Sequence, residues 1–149
     1  VSAGITDSAA ILAITGAGGA FGQILKALPI QASIQGLSTT GLGIFVPFII
    51  ACIFKLSMGA STVAMITTAS IMVPLMETMG FASPLGRVLV VMAIGAGSMV
   101  ASHANDSYFW VVSQFSDMKT EEAYKAQTGM TAAMGITIIL ILFVVSLFV

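Results

Sequence analysis

The chain has 149 residues, 58% of them hydrophobic and 7% charged, with one histidine, one cysteine and a formal net charge of −1. A soluble domain carries about 25% charged residues, so a water-soluble globule is excluded, and a mean hydropathy of +1.08 places the chain among integral membrane proteins. A pI near 5.6 and the lack of any basic patch exclude a nucleic-acid partner.

The first apolar run, Ile5 to Leu25, predicts a transmembrane helix within 1–26 that is interrupted by glycines at 16, 18, 19 and 22. Each glycine costs roughly 1 kcal/mol in a helix interior, so the cluster marks close helix packing or a real break. Ala27 to Thr40, with Pro29 and Gly36, reads as an interfacial connection. No basic segment precedes a short apolar core, so no signal peptide is expected.

Residues 41–79 are apolar almost throughout and predict a helical hairpin with its tip near 59–62. A turn there leaves two arms of about 17–19 residues, each about 25–28 Å long at 1.5 Å per residue. That length fits two short spans or a hairpin that enters the membrane and returns. The tip residues Gly59, Ser61 and Thr62 carry no charge, whereas interfacial turns usually carry charges or aromatics. Cys52, alone in this run, permits no intrachain disulfide, and the ten methionines read as flexible packing residues.

Residues 84–115 predict one helix broken at mid-depth. The apolar part before Gly95 is about ten residues and the part after Ser107 is shorter, so neither half reaches the ~20 residues that a span needs. A polar link follows, Ser116 to Gln127, with five of the eleven formal charges. The last span is 128–149, and Lys119 and Lys125 place the link in the cytoplasm with the C-terminus outside.

The break carries the candidate chemistry. A central Asp costs roughly 2.5–3.5 kcal/mol on insertion scales, so Ser98, Ser102, His103, Asn105, Asp106 and Ser107 need a shared purpose. One is structural: Asn105 or Asp106 can cap the helix "SYFWVVSQF". The other is binding, because freed helix-end amides hold anions, and Ser and Asn side chains bond a polar substrate. His103 and Asp106, three apart, form a candidate proton relay, or His103 is a satisfied hydrogen-bonding residue. At the facing tip, Ser61 and Thr62 begin the next helix. Lys55 either adds attraction for an anion at mid-depth or snorkels to the interface. No second His, Cys/His cluster or paired carboxylates exist for metal ligation or acid–base catalysis, so an enzyme is not expected. "GAGGAFG" follows no strand and lies in an apolar run, so it is not a phosphate loop.

The motifs "GAGGAFGQIL", "GASTVAMITTASIMVPL" and "AIGAGSMVASHANDSYFWVVSQF" closely resemble, in order, the C-terminal half of the gluconate permeases of the ion transporter superfamily. The resemblance implies an all-α membrane protein of two inverted repeats, each with a re-entrant helical hairpin and an unwound helix. It implies symport of gluconate or a related sugar acid with a proton, in a multi-pass protein of the bacterial inner membrane, with no cofactor beyond the coupling proton and no metal. Substrate contacts fall on Ser61, Thr62, Ser102, His103, Asn105 and Asp106, with His103 and Asp106 as proton-coupling candidates. Family members are roughly three times this length, so the chain is expected to be a fragment that needs the missing N-terminal repeat, or a second chain, to complete the site. A D-serine or other carboxylate permease, a sodium-coupled carboxylate carrier, and a channel or small structural membrane protein are the alternatives.

Overall fold

The computed structural model describes residues 42–148, and everything described is helix or connection, with no strand among those residues. The glycine-interrupted run of 1–26, the connection that follows it and Val149 lie outside the described residues.

A 3-10 turn, Leu42–Ile44, leads into α1, Phe45–Met58. It ends at Gly59, whose φ of 76° lets its amide bond back to the Lys55 carbonyl, a left-handed cap that glycine adopts without steric cost. Only Ala60 separates this cap from α2, Ser61–Met72, and the two helices pack together. Pro74 lacks an amide hydrogen, and α2 tightens there into the 3-10 turn Val73–Leu75.

Helix α3, Pro84–Met99, starts with the Ser83 hydroxyl accepting from the Gly86 amide and with Pro84 in the first turn, where its missing N–H goes unnoticed. It stops at Val100, and six further residues pass before α4, Ser107–Phe115. Ala101, at φ 51°, turns the chain through a conformation that a residue with a Cβ rarely takes.

The polar link after α4 is shorter than its charge pattern indicates. Thr120–Ser146 forms a continuous 27-residue helix, built from α5 (Thr120–Ala123), a π turn (Tyr124–Thr128) and α6 (Gly129–Ser146). The reason is local. Glu122 accepts from the Lys119 amide at 3.0 Å, and Glu121 and Glu122 lie in the first turn, where the helix dipole favours negative charge. With a mean hydropathy of 2.3 over its most apolar window, this is the described helix long and apolar enough to cross a membrane.

Helix α3 is the centre of the packing. One core joins it to the hairpin through Val46, Ala51, Ile71, Met72, Val90 and Ile94. A second joins it to α6 through Ile44, Leu89, Ala93, Ile139 and Leu142, extended by the Phe45 and Phe143 rings at 5.3 Å. Two glycines allow these approaches: a Cβ on Gly97 would collide with the Phe48 carbonyl of α1, and one on Gly135 with Val100 and the Ala96 carbonyl. The outside is apolar too. Ile53, Val91 and Ile141 are each more than half exposed, which suits a surface that meets lipid rather than water.

Candidate functional site

The hairpin tip and the α3–α4 break meet through backbone before any side chain is considered. A Cβ on Gly59 would overlap the Asn105 carbonyl, so the tip seats against the break at a spacing that only glycine permits. The Asn105 side chain strengthens the seat by donating from Nδ2 to the Leu56 carbonyl at 2.7 Å.

At this junction lies a buried ion pair. The Lys55 Nζ is 2.6 Å from Asp106 Oδ2, with the two side chains 1% and 7% exposed. An ammonium has three donors and no acceptor. Lys55 places all three, on Asp106, on the Gly59 carbonyl at 2.8 Å and on the Ser61 hydroxyl at 3.0 Å. Asp106 is equally occupied: Oδ2 also accepts from the Ser102 hydroxyl at 2.5 Å, and Oδ1 accepts from the Tyr108 amide at 3.0 Å, capping α4. Of the two caps available in the sequence, Asp106 is the one used. The macrodipoles agree with this placement, since Lys55 sits in the last turn of α1 and Asp106 precedes the first turn of α4.

The break is held from behind by the long helix Thr120–Ser146. Thr128 donates to the Ser102 carbonyl at 2.5 Å, and the Ser102 amide donates to the Thr131 hydroxyl at 3.0 Å. Trp110 reaches back to the Ala104 carbonyl at 2.7 Å. Segment 100–106 has one turn bond within it, from the Asp106 amide to the His103 carbonyl at 2.8 Å, and is otherwise fixed by side chains from α4, the π turn and α6.

Of the six candidate site residues, Ser61, Ser102, Asn105 and Asp106 join this network directly. Thr62 is exposed on the first turn of α2. His103 is half-buried, and its Nδ1 donates to the Ala101 carbonyl at 2.9 Å, a bond that fixes the proton on that nitrogen in the neutral ring. Among the described residues the partners of the Asp106 carboxylate are Lys55, Ser102 and the Tyr108 amide, and the imidazole is not one of them. Lys55 is the member absent from the six. Its position six residues before Ser61 was visible, but its partner lies 51 residues away in the chain. Among the described residues no three His, Cys, Asp or Glu side chains gather that could hold a metal ion.

The arrangement suits an anion better than a cation or a reaction. The amino end of α2, which no side chain caps, lies beside a lysine that Asp106 neutralises and hydroxyls that are already bonded.

Residues 1–148 match the model of the GntP permease family. The chain is 34% identical to a gluconate permease of Pseudomonas aeruginosa over 96% of its own length and 32% of the relative's. It is 33% identical to a gluconate permease of Bacillus licheniformis, covering 96% of this chain and 33% of that one. Against a low-affinity gluconate transporter of Escherichia coli the identity is 30%, over 84% of this chain and 28% of that protein. The chain therefore spans about a third of the length of the curated relatives it matches. No solved structure matches it.

Proposed function

This chain belongs to the GntP family of permeases, and from that premise we propose that it forms the C-terminal part of a secondary transporter carrying gluconate or a related sugar acid with a proton. The observation that carries the proposal is the polar junction of Lys55, Ser102 and Asp106, buried beside the half-buried Ser61 in a molecule whose outer surface is largely apolar. Ionisable groups in such surroundings are expensive and usually mark a substrate or ion path.

A sugar acid has one carboxylate and several hydroxyls. In this proposal helix-end amides face the first, and Ser61, Thr62, Ser102 and Asn105 face the second. His103 and Asp106 are the groups that carry the coupling proton. The α1–α2 pair is a hairpin that enters the membrane and returns, and α3 and α4 are one span unwound at 100–106. A related repeat completes the pocket, supplied by the N-terminal part of the permease or by a second copy. The protein sits in the bacterial inner membrane with Lys119 and Lys125 on the cytoplasmic side.

The test is uptake of labelled gluconate by the full-length permease in proteoliposomes under an imposed pH gradient. Saturable accumulation, competed by unlabelled gluconate and indifferent to sodium, is expected. Sodium dependence transfers the protein to the sodium-coupled carriers, and competition by D-serine but not by gluconate moves the substrate to an amino acid. Asp106→Asn and His103→Ala are each expected to abolish gradient-driven accumulation. Wild-type accumulation in both sinks the assignment of the proton to these residues.

A further inference from the structure

The Lys55–Asp106 pair raises a problem of charge that the transporter reading alone does not solve. The only ion pair among the described residues lies in the candidate pocket and is electrically neutral. An arriving carboxylate makes it −1 in a setting where unpaired buried charge is strongly disfavoured. Lys55 is the cation within reach, but its three donors are already placed, one of them on Asp106. A carboxylate can take that donor only if Asp106 gives it up.

We propose that the substrate carboxylate replaces Asp106 on Lys55, and that it does so only when Asp106 takes a proton, so one anion and one proton enter the site together. The exchange balances. Before it the site holds Lys55⁺ and Asp106⁻, and after it Lys55⁺, a neutral Asp106 and the substrate anion. The proton comes from solvent and leaves with the substrate when Asp106 ionises again and recaptures Lys55. Neutral Asp106 stays in place, because Ser102 and the Tyr108 amide hold its oxygens. Lys55 keeps the Gly59 carbonyl and the Ser61 hydroxyl, which aim the freed donor at the junction.

Within the pair, Asp106 is the group that takes the proton. Among the described residues, the packed elements present neutral groups to the pair: the Gly59 carbonyl, the Tyr108 amide, Ser61 from α2 and Ser102 from the break, with Thr128 and Thr131 of the long helix behind it. His103 faces the Ala101 carbonyl. Tyr108, Lys119, Glu121, Glu122 and Lys125 are exposed.

This inference rests on the transporter reading and deepens it, so the experiment separates the two. In the full-length permease in proteoliposomes, gluconate affinity is measured by counterflow with no gradient, across a range of pH. The wild type is expected to bind about tenfold more tightly for each unit the pH falls above the titration of Asp106, the slope for one linked proton. Asp106→Asn keeps the cap, with Oδ1 accepting from the Tyr108 amide and Nδ2 donating to the Ser102 hydroxyl, while fixing the neutral state. Its gluconate affinity is expected to be flat in pH, and it should no longer accumulate gluconate on a pH gradient. Lys55→Gln placed on Asp106→Asn is expected to weaken gluconate at least tenfold relative to Asp106→Asn alone, roughly the loss of one charge-assisted contact. An ion pair that merely latches the tip to the break predicts a wild-type affinity flat in pH, which overturns the inference without needing any variant to fold. So does gradient-driven accumulation by Asp106→Asn. A wild type that carries no gluconate under any gradient overturns the transporter reading and this exchange with it.

Discussion

Lys55 and Asp106 show how unequal the two halves of one contact are. Replacing Lys55 with Met leaves a carboxylate buried beside Ser102 and the Tyr108 amide with no counter-charge. Breaking a buried pair this way costs about 3–5 kcal/mol. Asp106→Asn is milder, because Asn still caps α4 and Lys55 keeps two acceptors at the end of α1. Lys55→Met should therefore lower the melting temperature of the detergent-solubilised permease by several degrees, and adding Asp106→Asn should recover more than half of that loss. Equal melting of Lys55→Met and the double variant would mean that the charges do not interact. The sequence exposed one end of this contact only. Asp106 stands out because an acid between apolar half-helices needs a partner. Lys55 does not, because a lysine near the end of an apolar run looks the same whether it snorkels or pairs. His103 was readable as polar and poorly placed for hydrocarbon, but its turn towards Ala101 depends on the left-handed Ala101, which no local pattern announces.

Helices reveal their type in sequence more readily than their phase. The long apolar runs require helix, since a backbone in lipid must satisfy its own hydrogen bonds, and the described residues are helical with no strand. Which glycine faces which neighbour is another matter. Gly95 and Gly97 are two apart on α3 and point to different sides: a Cβ on Gly97 meets the Phe48 carbonyl and Ala51, whereas one on Gly95 meets nothing within 4 Å. Gly97→Ala should cost about 1–3 kcal/mol, the usual range for overpacking. Gly95→Ala should be neutral or gain up to ~1 kcal/mol from helix propensity. Thermal melts of the two variants decide it, and an equal loss from both would place α1 differently against α3. The charged link shows the reverse limitation. Its polarity in 116–127 was plain, but the helix start at Thr120 comes from Glu122 reaching the Lys119 amide, a contact that outweighs the block's resemblance to a loop.

Across the whole molecule, helix lengths set the depth of the proposed site. Helix α1 has 14 residues and α3 has 16, giving about 21 and 24 Å at 1.5 Å per residue. The hydrocarbon core is about 30 Å thick. In the proposed arrangement, a hairpin built on α1 and packed beside a helix that ends near the same level would hold Gly59 and segment 100–106, which meet in the structure, below the membrane surface rather than at it. In that arrangement water and substrate would reach Ala60, which is exposed, and the apolar outer face of α6 around Ile141, 58% exposed, would meet lipid. With the native thiol removed by Cys52→Ser, Ala60→Cys should react with a membrane-impermeant thiol reagent from one side of the membrane, and saturating gluconate should slow that reaction several-fold. Ile141→Cys should stay unreactive from either side. Labelling of Ile141→Cys as fast as Ala60→Cys would put the α6 face in water and remove the basis for a lipid-facing girdle. Gluconate-insensitive labelling of Ala60→Cys would separate the hairpin tip from the substrate path, leaving the Lys55–Asp106 pair to join two helices and nothing more.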